Sequence, residues 1–215
     1  MEYRTAIATL GAALKRPLPG ADAHRLTEPR PRRPWPAGFD PADARHAAGL
    51  LLIFPIEGRA HVVLTVRAGT LGRHSGQVSL PGGVVEPDET FERAALREAH
   101  EEIGLELSGI RVLGPLTPID IPVSGFRLHP IVAAADTRPH LSGADAEVAE
   151  ILEVPVEHLL EPATLSEPER IRDGRPLVTP AFSVAGHEIW GATSMILAEF
   201  LSLLGWPKFD LKGKH

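Results

Sequence analysis

A chain of 215 residues, 43% of them hydrophobic and with a mean hydropathy of −0.01, is long enough to bury one domain's core and too balanced for a disordered or membrane-embedded protein. It has no cysteine, which excludes disulfides, thiol nucleophiles and thiolate-bound zinc. Its formal charge of −6 argues against general affinity for nucleic acid, so an anionic ligand must be drawn by local basic groups.

Tyr3, Ala6, Ile7, Leu10 and Leu14 recur at helical spacing, which predicts a short amphipathic helix over residues 3–14. Thr9 and Gly11 interrupt its apolar part, and Lys15-Arg16 follow where a signal peptide would have a small-residue cleavage site, so a cytoplasmic protein is expected. No apolar run approaches the roughly 18 residues that span a bilayer, and no membrane partner is expected. From Pro17 to Pro41 the chain is rich in proline and arginine, and reads as an exposed, extended connecting arm. Arg30, Arg32 and Arg33 could instead meet substrate phosphate, or the arm could wrap a partner subunit in a homodimer. Residues 1–44 are therefore read as helix plus arm, and residues 45–215 as the functional domain.

Ala47 to Phe54 and His61 to Val66 are strand-like runs, joined by a turn at Glu57-Gly58-Arg59 into a hairpin. Residues 67–78, RAGTLGRHSGQV, combine basic groups with glycines. Guanidinium forks and exposed amides suit phosphate oxygens, so Arg67, Arg73 and His74 are substrate-side candidates.

Gly83 to Leu105 reads GVVEPDETFERAALREAHEEIGL. On a helix, Glu98, Glu101 and Glu102 stand at i, i+3, i+4, gathered into a sector roughly 100° wide. Like charges at that spacing repel, and the helix dipole disfavours them in the last turns. A hard divalent cation with oxygen ligands reverses that cost, whereas a solvated acidic face accounts for the spacing equally well. Asp88 or Thr90 can cap the helix and Gly104 can end it, while Phe91, Ala94, Ala95, Ala99 and Ile103 give it an apolar side. Pro81, Gly82 and Gly83 can turn sharply and bring a main-chain carbonyl to a cation.

This stretch resembles the Nudix box, G-x(5)-E-x(7)-R-E-U-x-E-E-x-G-U, at every fixed position: Gly83, Glu89, Arg97, Glu98, Glu101, Glu102 and Gly104. The resemblance implies an α/β/α sandwich with a mixed sheet between helices and metal-dependent hydrolysis of a nucleoside diphosphate derivative. Glu98, Glu101, Glu102 and the Gly83 carbonyl would hold Mg²⁺ or Mn²⁺. Glu89 and Arg97 would form a structural ion pair outside the catalytic set. Upstream, VLTVRAGTLGRHSGQVSLPGG from Val63 to Gly83 is similar to the pattern L-L-T-x-R-[SA]-x(3)-R-x(3)-G-x(3)-F-P-G-G of the coenzyme A pyrophosphatase branch. Val63 and Leu80 depart conservatively, and Gly72 stands where the pattern has arginine. That branch implies cleavage of coenzyme A or an acyl derivative to (acyl-)phosphopantetheine and adenosine 3',5'-bisphosphate. ADP-ribose, NADH or nucleoside triphosphates are the alternative substrates within the family, and a non-catalytic nucleotide-binding module is the alternative outside it.

Residues 110–116 and 126–134 alternate as strands flanking a loop, IDIPVSG, at 119–125. Residues 146–155 read as a further strand. It puts Glu147 where the resemblance implies an additional acid near the metal, to act as general base or second-metal ligand, with Glu150 and Glu153 holding similar claims. Residues 162–186 carry no clear pattern. His187 to Leu204 reads as one C-terminal helix, with Trp190 a core residue at its start or a platform for adenine. IPVSGF and IWGATSMIL also resemble the branch. The ten histidines show no paired ligand spacing, so a histidine-bound zinc centre is not expected.

Overall fold

A computed structural model describes residues 1–68, 76–143, 147–172 and 174–207. Helix α1 (Tyr3–Ala13) follows the expected periodicity, burying Tyr3, Ala6 and Leu10 in the core. The arm after it departs from the exposed connector its composition suggested. It contains a one-turn helix, α2 (Ala21–His24), with Ala23, His24 and Thr27 buried, and the Arg30 backbone exchanges hydrogen bonds with Val178 at 2.8 and 3.0 Å. The cause is a distant side chain. The fully buried carboxylate of Glu199 accepts from Gly20 N (3.0 Å) and His24 Nε2 (3.1 Å), and from Thr117 N (3.0 Å) and Oγ1 (2.6 Å). A buried carboxylate needs such donors, and it draws the arm inward to obtain them.

Strands β1 (Arg45–Ile56) and β2 (Arg59–Arg67) form the expected hairpin, its tight turn made by Glu57 and Gly58 with φ of 50° and 76°. The two strands pair only from Ile53↔Val62 to the turn and then diverge. Into this fork fit β3 (Val78–Ser79), paired with β2, and β4 (Gly82–Val84), paired with β1. Helix α3 (Phe91–Ile103) is the box helix. Next come β5 (Ile110–Pro115), β6 (Ile119–Ile121) and β7 (Phe126–Ala135). The segment expected as a loop at 119–125 is therefore half strand: β6 pairs antiparallel with β7, and only its tip is a turn. Strand β7 runs parallel to β1, which makes the sheet mixed, and β8 (Val148–Pro155) lies along β2.

After the short α4 (Val156–Leu159), residues 162–186 resolve into small pairings: β9 (Leu165–Ser166), β10 (Glu169–Arg172), β11 (Arg175–Val178) and β12 (Ala181–Val184). The predicted C-terminal helix starts late. His187–Trp190 is a strand, β13, returning against β12 through a turn at Ala185 and Gly186 (φ 48° and 82°), and α5 (Ala192–Leu203) begins beyond Gly191. Gly191 has φ 69° and ψ −138°, a conformation essentially restricted to glycine, and it separates the two elements. Trp190 is accordingly the end of a strand, partly exposed with the Arg170 guanidinium 5.5 Å over its ring, and not a core residue opening a helix.

Alternation along β1 sets the layers. Ala48, Leu50, Leu52 and Phe54 face α3, meeting Ala94, Ala95, Ala99 and Ile103. Leu51 and Ile53 face the opposite way, toward α1 and α5, with Val62, Leu64, Ile196 and Phe200. The box helix and the C-terminal helix thus cover opposite faces, as the sequence predicts. Among the described residues no helix is long and apolar enough to cross a membrane.

Candidate active site

The orientation of the acids is fixed by how α3 starts and stops. Of the two capping candidates it is Thr90 that acts, its hydroxyl accepting from Arg93 N at 3.3 Å, while Asp88 occupies a turn with φ 64°. Gly104 ends the helix in the left-handed conformation, φ 62°. With the alanine side sealed against β1, Glu98 and Glu102 flank the β4 turn. Arg97 organises this flank. Its Nε and Nη2 each donate to Glu89 at 3.0 Å, Nη2 also to the Val84 carbonyl at 3.1 Å, and Nη1 to Glu98 at 2.9 Å and Glu101 at 3.2 Å. The Glu89–Arg97 pair expected of the box is present. Hydrogen bonding to Arg97 holds the Glu89 carboxyl below its ordinary range, and in return raises the guanidinium's pKa.

The two glycines of β4 are needed for different reasons. A Cβ on Gly82 would lie 2.3 Å from the Ala48 carbonyl oxygen, whereas one on Gly83 would lie 2.4 Å from the Glu98 carboxylate. The first glycine lets β4 approach β1; the second lets main chain lie against the Glu98 carboxylate. Gly82 N donates to Glu102 Oε2 at 3.0 Å. Burial pushes the Glu102 carboxyl up to about 7, against that hydrogen bond and with Glu98 and Glu147 adding to the rise. The Arg67 guanidinium offsets the rise only weakly.

Glu147 lies on the same side as Glu102, its carboxylate accepting from Arg67 Nη2 at 2.9 Å and its carbonyl from Ala68 N at 2.7 Å. Its two rivals are engaged elsewhere: Glu150 with His187 at 3.1 Å, and Glu153 with Arg138 Nε at 2.9 Å. Arg67 is therefore at the site but paired with an acid. Arg73 and His74 lie outside the described residues. Glu101 is about half exposed and is bound through Arg97. Among the described residues no three acidic or histidine side chains are close enough to hold a cation as they stand. The donor set itself, carboxylates beside a main-chain glycine turn with one of them partly buried, fits a hard divalent cation.

Beside Arg67 and Ser79 opens a cleft of about 990 Å³. It is lined also by the β6–β7 hairpin, the start of α5, the arm and β11. Sequence reasoning missed Arg175 as a site residue, and no local signal marks it: it reaches the cleft through the fold of a segment without clear periodicity.

A family model described as NUDIX domain matches residues 44–174. The chain belongs to the Nudix family. Among Nudix relatives, it is 36% identical over 154 residues to the "Uncharacterized Nudix hydrolase NudL" of Photorhabdus laumondii, covering 71% of this chain and 81% of that protein. It is likewise 36% identical over 172 residues to the protein of that description from Yersinia enterocolitica, with 77% and 84% covered. The crystal structure of a Nudix hydrolase from M. smegmatis, RenU, shares the fold, with a TM-score of 0.54 at 23% identity over 80% of this chain and 91% of that one. Nudix hydrolases act on pyrophosphate bonds and generally use divalent metal ions.

Proposed function

We propose that this Nudix protein is a Mg²⁺- or Mn²⁺-dependent pyrophosphohydrolase that cleaves coenzyme A or its acyl derivatives to (acyl-)phosphopantetheine and adenosine 3',5'-bisphosphate. The observation that carries the reading is the group of acids around the glycine turn: the Gly83 main chain lies against Glu98, and Gly82 N donates to the partly buried Glu102, whose carboxyl is pushed up to about 7 chiefly by burial. The choice of coenzyme A rests on the upstream pattern from Val63 to Gly83 and on a cleft at the top of the roughly 300–1,000 Å³ range of small-molecule sites.

Glu98, Glu101, Glu102 and the Gly83 carbonyl would hold the metal. When bound, the ion would offset pyrophosphate charge and acidify a coordinated water. The chain's own residues do the rest. Arg97 holds Glu98 and Glu101 at fixed rotamers while its bidentate pair with Glu89 anchors it to the helix entry. Gly82 N fixes one oxygen of Glu102. Glu147, restrained by Arg67, is a further acid near Glu102, able to take a proton or lend an oxygen.

The test is product analysis after incubation with Mg²⁺ or Mn²⁺ and coenzyme A, ADP-ribose, NADH and nucleoside triphosphates, with Glu102→Gln as control. Adenosine 3',5'-bisphosphate from coenzyme A, absent with the variant, is the expected result. Preferential cleavage of another substrate overturns the coenzyme A assignment, and no turnover of any substrate overturns the enzymatic one.

A further inference from the structure

The family match ends at 174 and begins at 44, yet part of the cleft's lining lies outside those bounds: Arg32, Arg33 and Trp35 of the arm, Arg175 of β11, and Trp190. This arm is not a loose tether. Glu199 fixes Gly20 and His24, the Arg30 backbone pairs with Val178, and the Arg30 side chain meets Glu167 at 3.0 Å. Pro31, Pro34 and Pro36 then stiffen the chain where it passes over the cleft. Because Arg30 is bonded to Val178, the arm's arginines and Arg175 are carried by two segments of one small pairing.

The charge here runs opposite to that of the molecule. Against a formal −6 for the chain, the described residues that line the cleft include four arginines and two acids. Asp120 is engaged outside the cluster by Arg127 at 2.7 Å, and Glu28 holds Arg32 at 3.0 Å in a partly exposed pair that leaves other guanidinium donors of Arg32 open to solvent. Arg67 is held by Glu147 at the catalytic end. Arg175 is exposed and has no acidic partner among the described residues. Guanidinium forks match phosphate oxygens in geometry as well as charge, and Arg32, Arg33 and Arg175 line this cleft together, whereas none of the box acids lines it.

We propose that Arg32, Arg33 and Arg175 form an anion subsite at the arm end of the cleft, which holds a phosphate monoester carried by the substrate apart from its diphosphate. This rests on the pyrophosphohydrolase reading above and makes the arm part of substrate selection.

The test compares two nucleotides differing by one phosphate, adenosine 3',5'-bisphosphate and AMP, titrated calorimetrically into the wild type, an Arg32→Ala/Arg33→Ala double variant, Arg175→Ala and Arg175→Lys. The wild type is expected to bind the bisphosphate about tenfold or more tightly than AMP, and the alanine variants to lose most of that difference while keeping AMP affinity and Tm. Arg175→Lys, which keeps charge without the fork, is expected to fall between. In turnover, the alanine variants are expected to raise KM for coenzyme A and leave that for 3'-dephospho-coenzyme A unchanged. Equal binding of the two nucleotides by the wild type, or parallel loss of both in the variants, overturns the subsite. The two readings fail separately: hydrolysis of coenzyme A without discrimination of the extra phosphate refutes the subsite alone. Discrimination in binding without hydrolysis refutes only the proposed reaction.

Discussion

Gly82 and Gly83 are neighbours in sequence, and replacing each by alanine is expected to produce opposite failures. Neither has a positive φ, so alanine's backbone preferences are met, and the entropy of the unfolded chain favours each variant by about 0.4–1 kcal/mol. At Gly82 the added methyl meets main chain, Ala48 O at 2.3 Å and Gly49 Cα at 2.6 Å, neither of which can turn aside. Strand β4 must retreat by about 1 Å from β1. Overpacking of this kind and two ladder bonds left poorly made together cost about 3–4 kcal/mol, against the small entropic gain. At Gly83 the methyl meets the tip of the Glu98 side chain, which can swing away at the loss of a partly exposed bond to Arg97, worth less than about 1 kcal/mol. Urea unfolding should therefore lower the midpoint by about 1 M for Gly82→Ala and leave Gly83→Ala near wild type. Turnover should fall about 100-fold or more for Gly83→Ala through displacement of Glu98 alone. Equal destabilisation of both variants, or Gly83→Ala turning over within threefold of wild type, would refute the argument.

Glu199→Ala strips one carboxylate from four donors and is expected to cost about 3–5 kcal/mol, seen as a urea midpoint lower by more than 1 M; a change under about 1 kcal/mol would deny the carboxylate its role in docking the arm. For Glu102→Gln we expect stability equal to or above wild type without divalent cation, and loss of the rise of about 3 kcal/mol that the wild type gains at 100-fold excess of Mn²⁺ over its Kd; an equal rise in both, read by thermal unfolding, would remove Glu102 from the ligand set. His129 lies 2.9 Å from His46 and stacks on Phe91 at 3.6 Å, with Arg127 and Asp120 nearby, and burial, followed by His46 and Arg127, pushes it down to about 4. A folded pKa below the unfolded 6.5 means that the unfolded chain binds the proton first, so this contribution is complete above pH 6.5 and is lost as pH falls toward 4. The gap corresponds to about 3 kcal/mol for a fully buried ring, discounted to about 1 kcal/mol for one partly screened by solvent, and His129→Gln should reduce the loss of stability between pH 7.5 and 4.5 by that amount. Identical pH profiles would contradict it.

The legible parts were those whose determinants are local. The box helix carries its own cap at Thr90, its own stop at Gly104 and its own apolar stripe, so its position and the flank presenting Glu98 and Glu102 follow from the single stretch between those two residues. The hairpin of β1 and β2 likewise announces its turn. What escaped depends on partners far along the chain. Glu199 sits in an apolar run, and the donors that make it a buried anchor are 82, 175 and 179 residues away. The four residues HEIW fit either period, and pairing with β12 decides for strand. Glu147, Glu150 and Glu153 were equivalent as letters, and only their different partners distinguish them.

One strand serves as the reference for the chemistry. Gly83 is bonded through β4 to β1, and Glu98 stands on a helix whose alanines lie on β1 too, so the gap between turn and acid is set by two short contacts with a common origin. Positional error cannot accumulate over so short a path. The arginines at the other end of the cleft are located through a longer series, from Thr117 to Glu199, to the arm, to β11. Tolerance is therefore tight between Gly83 and Glu98 and looser at the arm. On the proposed function, changes to the arm would retune which molecules are accepted without disturbing the Gly83–Glu98 geometry.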